Sequence, residues 1–196
     1  MNTPLADRIR PKSIDEVAGQ RHLIGEGKIL RQIIESGEIP NLIFYGPSGV
    51  GKTTIAKIIA SKTGKKLCYL NATTSSTADI KEIVGEIGTM EAASGILLYL
   101  DEIQYFNKKQ QQILLSYIEN GDITLIASTT ENPYFYVYNA ILSRSSVFEF
   151  KTLESKDIAV VVKRAIDILS KEHDKELIAS DDSINEIARA AAGDVR

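Results

Sequence analysis

The sequence has little cysteine, no long apolar run and no excess of positive charge. Its one cysteine, Cys68, excludes an intramolecular disulfide and is typical of a reducing compartment. No run approaches the roughly 18 consecutive apolar residues of a transmembrane helix. The first residues, MNTPLADRIRPK, lack the apolar core of a secretory signal. We therefore expect a cytoplasmic protein with no membrane partner.

Charge and composition limit the classes of function further. The formal net charge of −3 argues against a strongly cationic surface, so composition gives no support for nucleic-acid binding. With 43% hydrophobic and 25% charged residues, the 196-residue chain has the composition of a globular protein. Its length suits one domain or slightly more.

Apolar runs of strand length alternate with helical patterns along the first three quarters of the chain. This alternation is typical of a parallel sheet that is covered by helices on both faces. The helical patterns include two that end at glycines typical of C-terminal caps, Gly37 and Gly64. The predicted strands are NLIFY (41–45), KLCYL (66–70), GILLYL (95–100), ITLIAS (123–128) and SVFEF (146–150).

After residue 150 the pattern changes, because two helical stripes follow with no strand between them. Ser155 and Ser180 are the predicted N-caps of these helices. We therefore predict an α/β domain over residues 1–150 and the start of a small helical domain over 151–196. The final residues, GDVR, carry no capping signal, so we expect the chain to be part of a longer protein.

A phosphate-binding loop follows the first predicted strand. Gly46, Gly51, Lys52 and Thr53 match the pattern G-x-x-x-x-G-K-[S/T], between a strand and a helix. In such a loop the backbone N–H groups point at phosphate oxygens, the lysine reaches the β- and γ-phosphates and the hydroxyl ligates Mg²⁺. A glycine-rich turn with a solvated lysine is the alternative. The predicted nucleotide-binding residues here are Gly46, Pro47, Ser48, Gly49, Val50, Gly51, Lys52, Thr53 and Thr54.

Two adjacent carboxylates, Asp101 and Glu102, end the apolar run ILLYL. Ligands of parallel sheets lie beyond the carboxyl ends of the strands, so both acids are expected beside the phosphate loop. There Asp101 would hold Mg²⁺ with Thr53, while Glu102 would polarise a water in line with the γ-phosphate. The alternatives are that Asp101 caps the helix that begins near Asn107, or that both acids are solvated.

Further stretches of the sequence resemble a known family. PLADRIRPKSIDEVAGQRHLIG (4–25), DEIQYFNKKQQ (101–111), ASTTENPYF (127–135), AILSR (140–144) and the terminal GDVR resemble the RarA/MgsA family of AAA+ ATPases. That family comprises bacterial relatives of the Werner-helicase-interacting protein. The resemblance implies a P-loop NTPase of the AAA+ class, with a five-stranded parallel sheet followed by the start of a helical lid.

The resemblance also implies roles for individual residues. Thr130 matches the polar sensor-1 position, with Thr129 as the alternative, and Lys52 and Glu102 match the other catalytic positions. Arg144 matches an arginine finger that acts on the ATP of the adjacent subunit, although it is also compatible with a surface arginine. Arg196 matches the sensor-2 arginine. Three residues resemble the adenine side of such sites: Ile9, Arg10 and Val17.

The family likeness implies an ATP-hydrolysing, homo-oligomeric module acting at DNA replication forks, with replication proteins such as single-strand-binding protein as partners. One departure is that Gln104 and Tyr105 stand where the family usually has a basic or histidine pair. An ATP-switched scaffold or a clamp-loader-type subunit with little turnover of its own remains an alternative. A small-molecule kinase is a further one.

Overall fold

The computed structural model describes residues 4–174 and 177–195. Its sheet has five parallel strands in the order β2-β3-β4-β1-β5. This confirms the predicted five-stranded parallel sheet, with strand ends shifted by one residue in several places. The strands are β1 (Asn41–Tyr45), β2 (Lys66–Asn71), β3 (Ile96–Asp101), β4 (Ile123–Thr129) and β5 (Ser145–Glu149).

Ten α-helices accompany the strands in the described part of the chain. Short 3₁₀ helices lie at Ile14–Glu16, Met90–Ala92 and Ile103–Tyr105. The α-helices are α1 (Leu5–Arg8), α2 (Arg21–Ile24), α3 (Ile29–Ser36), α4 (Lys52–Thr63), α5 (Thr77–Gly85), α6 (Lys108–Glu119), α7 (Pro133–Tyr136), α8 (Asn139–Leu142), α9 (Ser155–His173) and α10 (Asp181–Ala190).

Apolar side chains fill both faces of the sheet because successive strand residues point to opposite sides. In β3, Leu98 and Leu100 belong to the cluster that packs against α5 and α6. Leu97 and Tyr99 belong to the cluster that packs against α3 and α4 on the other face. Central strands covered on both sides read as continuous apolar runs, which explains why the sequence shows no alternation there.

Most predicted helix ends are confirmed, with one error. Gly37 and Gly64 end α3 and α4 in the left-handed conformation, and Ser180 caps α10 by accepting a hydrogen bond from the Ser183 N–H. The prediction that Ser155 caps α9 is wrong, since Ser155 is the first helical residue. Glu154 is the N-cap, and the Asp157 carboxylate accepts its N–H at 3.4 Å.

The helices α9 and α10, here called the helical segment, pack against each other around a small cluster that includes Leu153, Ile158 and Ala188. The boundary at residue 150 between two domains stays a prediction. None of the helices in the described ranges is both long and apolar enough to span a bilayer.

Candidate nucleotide-binding site

The carboxyl ends of three adjacent strands form the floor of the site. β4 lies between β1 and β3, so the residues that follow Tyr45, Leu100 and Thr129 meet at one edge of the sheet. The phosphate loop leaves β1 at this edge, and Asp101 and Glu102 stand at the end of β3. The tertiary structure therefore brings together the loop and the acid pair, as the sequence predicted.

Two glycines of the loop occupy positions that no other residue fits. At Gly46 (φ 139°) a Cβ would collide with the Phe150 carbonyl, because the two backbones touch. At Gly49 (φ 69°) a Cβ would collide with the Asp194 carboxylate. The loop thus packs against the backbone of Phe150 on one side and against Asp194, near the end of the described chain, on the other. This close packing shapes the turn that leads into α4.

Lys52 begins α4 and folds its side chain back into the loop. Its Nζ donates hydrogen bonds to the carbonyl oxygens of Gly46 (2.6 Å) and Pro47 (2.7 Å), and the residue is 8% exposed. The buried ammonium is therefore held by the loop that would bind phosphate. Phosphate oxygens entering the loop would compete for the same protons, so the lysine is already placed for them.

A chain of hydroxyl and carboxylate oxygens connects α4 to the end of β3. The Thr53 Oγ1 lies 3.0 Å from the Tyr99 hydroxyl, which lies 3.4 Å from the Asp101 Oδ1. Ser128 also donates to Oδ1, and the Tyr69 hydroxyl donates to Oδ2 at 3.1 Å. Burial and, to a smaller degree, the charge of Asp101 raise the pKa of Tyr99, so its hydroxyl stays protonated.

The oxygen atoms of Thr53 and Asp101 are suitable ligands for an Mg²⁺ ion that binds together with a nucleotide. Mg²⁺ prefers oxygen ligands and is usually held by one or two carboxylates together with substrate phosphates and water. Thr53 and Asp101 offer a hydroxyl and a carboxylate to one cavity and are bridged by the Tyr99 hydroxyl. Among the described residues no group of three or more His, Cys, Asp or Glu side chains forms a self-sufficient metal site. The oxygen set therefore suits a metal that is completed by phosphate.

Glu102 turns away from the sheet because its backbone is left-handed, with φ 56°. Non-glycine residues adopt this conformation at an energetic cost, and such positions cluster at functional sites. The Gln104 Nε2 donates to the Glu102 Oε2 at 2.6 Å, and the Thr130 Oγ1 lies 3.4 Å from the same oxygen. The carboxylate is thus held between an amide and a hydroxyl.

Of the two candidate sensor threonines, the geometry favours Thr130. Thr129 is fully buried, and its Oγ1 accepts the N–H of Glu131 at 3.0 Å within the turn. Thr130 is exposed at the edge of the sheet and faces both Glu102 and Gln104. Its assignment as the sensor stays a prediction.

A cavity of about 330 Å³ extends from the loop toward the N-terminal stretch and the helical segment. Three of the residues predicted for the adenine side, Ile9, Arg10 and Val17, line it. They face Leu153 and Val161 across the cavity. Gly46 and Pro47 are not part of the lining, and their carbonyls accept hydrogen bonds from Lys52. The other predicted loop, metal and base residues line the cavity: Ser48, Gly49, Val50, Gly51, Lys52, Thr53, Thr54, Asp101 and Glu102.

The end of the described chain packs directly on the phosphate loop. The Val195 N–H donates to the Gly49 carbonyl at 3.3 Å, and Val195 lines the cavity. Asp194 lies against Gly49. The predicted sensor-2 residue, Arg196, lies outside the described residues.

Arg144 is the predicted catalytic residue that the fold does not bring to this site. It precedes β5 at the amino edge of the sheet, where Ser145 pairs with Asn41 at the start of β1. It forms an ion pair with Glu119 at 2.6 Å and donates to the Ala140 carbonyl at 2.9 Å. Five residues of parallel strand span about 15 Å, so Arg144 cannot reach the phosphate loop of its own chain.

Sequence reasoning missed four side chains that organise the acids. Tyr99 contacts both Thr53 and Asp101, Tyr69 and Ser128 donate to Asp101, and Gln104 holds Glu102. One signal was available, because Tyr99 stands two residues before Asp101 on a strand and therefore shares its face. The contacts of Tyr69 and Ser128 depend on strand order, which the sequence does not show, and that of Gln104 depends on the left-handed backbone of Glu102.

A glycine-lined loop between a strand and a helix, with an acid pair on the strand two places away, defines a P-loop nucleotide-binding domain. Residues 42–153 match the family model described as "ATPase family associated with various cellular activities (AAA)", and the chain belongs to that family.

The predicted family resemblance is confirmed by curated relatives. The chain is 40% identical over 195 residues to replication-associated recombination protein A of Haemophilus influenzae, covering 98% of this chain and 44% of that one. It is 38% identical over 194 residues to ATPase WRNIP1 of Dictyostelium discoideum, covering 98% of this chain and 22% of that one. The chain therefore spans less than half the length of these relatives.

Solved structures agree with this fold. The Thermotoga maritima RuvB Holliday junction branch migration motor superimposes with a TM-score of 0.77 at 26% identity, covering 96% of this chain and 62% of that one. A variant of the same RuvB gives a TM-score of 0.79 at 25% identity over the same shares.

Proposed function

We propose that the chain is the ATP-binding and ATP-hydrolysing module of a protein that maintains DNA replication forks. One observation carries the enzymatic part: Lys52 in the glycine loop and the two acids of β3 line the same cavity. One triphosphate-sized space is therefore lined by a cation for phosphate (Lys52), a ligand for Mg²⁺ (Asp101) and a candidate general base (Glu102).

The loop and α4 bind the phosphates. Backbone N–H groups of residues 49–53, at the positive end of the α4 dipole, offer hydrogen bonds to phosphate oxygens. Lys52 exchanges the carbonyls of Gly46 and Pro47 for β- and γ-phosphate oxygens. Thr53 and Asp101 hold Mg²⁺, and Tyr99 and Ser128 keep these ligands in place. When bound, Mg²⁺ neutralises charge on the phosphate oxygens.

Glu102 acts on the attacking water. Its left-handed backbone separates its carboxylate from that of Asp101, so one acid serves the metal and the other accepts a proton. Gln104 and Thr130 hold the Oε2 of Glu102 and leave the Oε1 available for the water. The role of Gln104 is to position the base, because its amide contacts the carboxylate itself.

The adenine ring of ATP occupies the inner part of the cavity. Ile9 and Val17 provide apolar contact on one side, and Val161 of α9 provides it on the other. Arg10 donates to the Thr54 hydroxyl at 3.3 Å and pairs with Asp7 at 2.6 Å, which orders the N-terminal stretch beside α4.

Completion of the site requires a second subunit. Arg144 is exposed on the edge of the sheet opposite its own phosphate loop, a position from which it acts only on a neighbour. An arginine supplied in trans stabilises charge on the transferred γ-phosphoryl group. The proposal therefore includes a homo-oligomer.

The DNA-related part of the proposal comes from the relatives, whose names refer to replication-associated recombination and Holliday junction branch migration. DNA, and replication proteins such as single-strand-binding protein, are the proposed partners, with a cytoplasmic location. The alternative is an ATP-switched scaffold or clamp-loader-type subunit with little turnover. Glu102 favours the enzyme, because a switch that only binds ATP needs no base.

Replacing Glu102 by Gln tests the enzymatic part. We expect ATP turnover to fall roughly 10²- to 10⁴-fold, because a general base is lost. Binding of a fluorescent ATP analogue should be retained, since Lys52, Thr53 and Asp101 are intact. Glu131→Gln, an exposed acid on the same edge of the sheet, is the matched control and should turn over normally. Equal turnover in wild type and Glu102→Gln would favour the scaffold.

Mixing two inactive variants of the assembled protein tests the role of Arg144. Arg144→Ala should lower turnover roughly 10³-fold or more. Combining it with Glu102→Gln should restore part of the activity, because each Glu102→Gln subunit donates an intact arginine to a neighbour with an intact base. A mixture of Glu102→Gln with Lys52→Ala should stay inactive, since neither has a complete loop and base. No recovery in the first mixture would refute action in trans.

A further inference from the structure

A second surface of the molecule carries exposed aromatic side chains. Among the described residues five aromatic side chains are exposed, and one of them, Tyr69, contacts the nucleotide site. The other four lie together, because the 3₁₀ helix Ile103–Tyr105 packs against α7. We call them the aromatic patch: Tyr105 (64% exposed), Tyr134 (61%), Phe135 (82%) and Tyr136 (50%).

The backbone beneath the patch is firmly anchored, so the exposure is built into the fold. Gln111 of α6 is 2% exposed and donates from its Nε2 to the carbonyls of Phe106 (2.9 Å) and Tyr136 (3.2 Å). Its Oε1 accepts the N–H of Tyr138 at 2.7 Å. Pro133 and Val137 are buried on either side of the exposed rings.

A groove of about 290 Å³ runs between α6 and the α7–α8 turn beside the patch. Phe106, Phe135, Tyr136 and Tyr138 line it together with Lys108. The Nζ of Lys108 lies 5.3 Å from the centre of the Tyr138 ring. The exposed rings of Phe135 and Tyr136 and the Lys108 cation thus border one concave surface.

Positive charge accompanies the rings. Lys108 and Lys109 are exposed in the first turn of α6, and within residues 4–174 and 177–195 neither forms an ion pair. The acids nearest to these lysines along the chain are Glu102, which Gln104 holds, and Glu119, which pairs with Arg144. The exposed Glu131 stands three residues before Tyr134.

We infer that the aromatic patch and the Lys108–Lys109 pair bind single-stranded DNA. Unpaired bases stack on aromatic side chains in a sequence-tolerant way, and Lys108 of the groove, with Lys109 next to it in α6, meets the phosphates. Two lysines are few for a duplex, whose bases present no free faces. This inference rests on the DNA-related part of the proposed function and adds the form of DNA and its place on the chain.

The test is fluorescence anisotropy with a labelled oligothymidylate of about 20 nucleotides, longer than a typical single-strand binding site. Phe135→Ser should weaken binding about tenfold or more, because a stacking surface is lost. Phe135→Tyr should bind as wild type does. Phe135→Leu, which stays apolar but cannot stack, should lose binding like Phe135→Ser. The control Met90→Ala removes an apolar side chain elsewhere that is even more exposed (97%) and should have no effect.

Charge is tested separately. Lys108→Gln should weaken binding and reduce its salt dependence, since one phosphate contact is lost. Lys81→Gln, an exposed lysine on α5, is its control. Equal affinity in wild type, Phe135→Ser and Lys108→Gln would overturn the site while leaving DNA as a partner.

A second copy of the chain is the competing occupant of the patch. A smaller oligomer in Phe135→Ser, with DNA affinity unchanged, would assign the patch to subunit contact and overturn the inference. ATP turnover and binding of the ATP analogue are measured on the same samples. A wild type that hydrolyses ATP but binds no oligothymidylate at low salt would overturn the inference and leave the ATPase proposal standing.

Discussion

The sheet and the helices α1–α8 are here called the α/β unit, and its sheet is covered by side chains on both faces. The two helices of the helical segment, in contrast, pack mainly against each other. Leu98 and Leu97, on opposite faces of β3, are both fully buried. In the helical segment Val160 and Ile187 are about half exposed, and the buried cluster is small. The first region therefore has a core of its own, and the second depends on what it touches.

What the helical segment touches is the rim of the nucleotide site. Arg164 of α9 donates to the Glu16 carbonyl at 2.6 Å, and Val195 meets Gly49 of the phosphate loop. The α/β unit thus carries Lys52, Asp101 and Glu102, while the helical segment contacts it at the lining of the cavity.

The largest stability effect is expected in the α/β core. Leu98→Ala should lower the free energy of unfolding by about 2–5 kcal/mol, because it leaves a cavity under a fully covered face of the sheet. Ile187→Ala in α10 should change it by about 0.5 kcal/mol or less, since that side chain is half exposed. Urea denaturation measures both. Similar losses for the two variants would contradict the contrast between the regions.

The variant Gly49→Ala tests the contact between the phosphate loop and residues 194–195. The positive φ costs about 1–2 kcal/mol for a residue with a Cβ, and the methyl group displaces the Asp194 carboxylate. We expect a lower melting temperature and weaker binding of the ATP analogue. Gly85→Ala in α5, where φ is ordinary and space is open, should instead stabilise the protein slightly. Unchanged nucleotide affinity in Gly49→Ala would show that the loop is independent of residues 194–195.

The smallest effect concerns Cys68 on β2, which reports opening of the α/β core. Burial, with a smaller contribution from Glu86, raises the pKa of the thiol to about 11. A raised pKa keeps the thiol neutral at pH 8, so the reactive thiolate is scarce in the folded state. Labelling by iodoacetamide at pH 8 should be slow and should accelerate in urea together with unfolding. Rapid labelling of the native protein would show that β2 opens locally.

Much of the site was predictable because it is encoded in short stretches. Residues 46–54 form one turn, and the acid pair follows a strand recognisable by its apolar run, so local rules sufficed to bring them to one edge. The resemblance predicted Thr130 as the sensor, and its exposed position beside Glu102 favours it over the buried Thr129. Gln104 appeared in the sequence only as a departure from the family pattern, and its bond to Glu102 depends on the left-handed turn between them.

Other features could not be predicted because they join distant parts of the chain. Gln111 holds the turn at Tyr136, Val195 packs on Gly49, and Asp194 makes a glycine necessary 145 positions earlier. No periodicity or motif reports such pairs. The exposure of Phe135 is a similar case, since an apolar residue in a helix start is ordinarily expected in the core.

The sequence by itself determined the strands, the ends of several helices, the phosphate loop and the acid pair, because each depends on neighbours within a few residues. Only the tertiary structure decided which side chains hold the acids, that Arg144 faces away from its own site, and that aromatic rings remain exposed beside Lys108. The physical reason is that strand order and chain packing bring together groups whose separation along the chain carries no local signal.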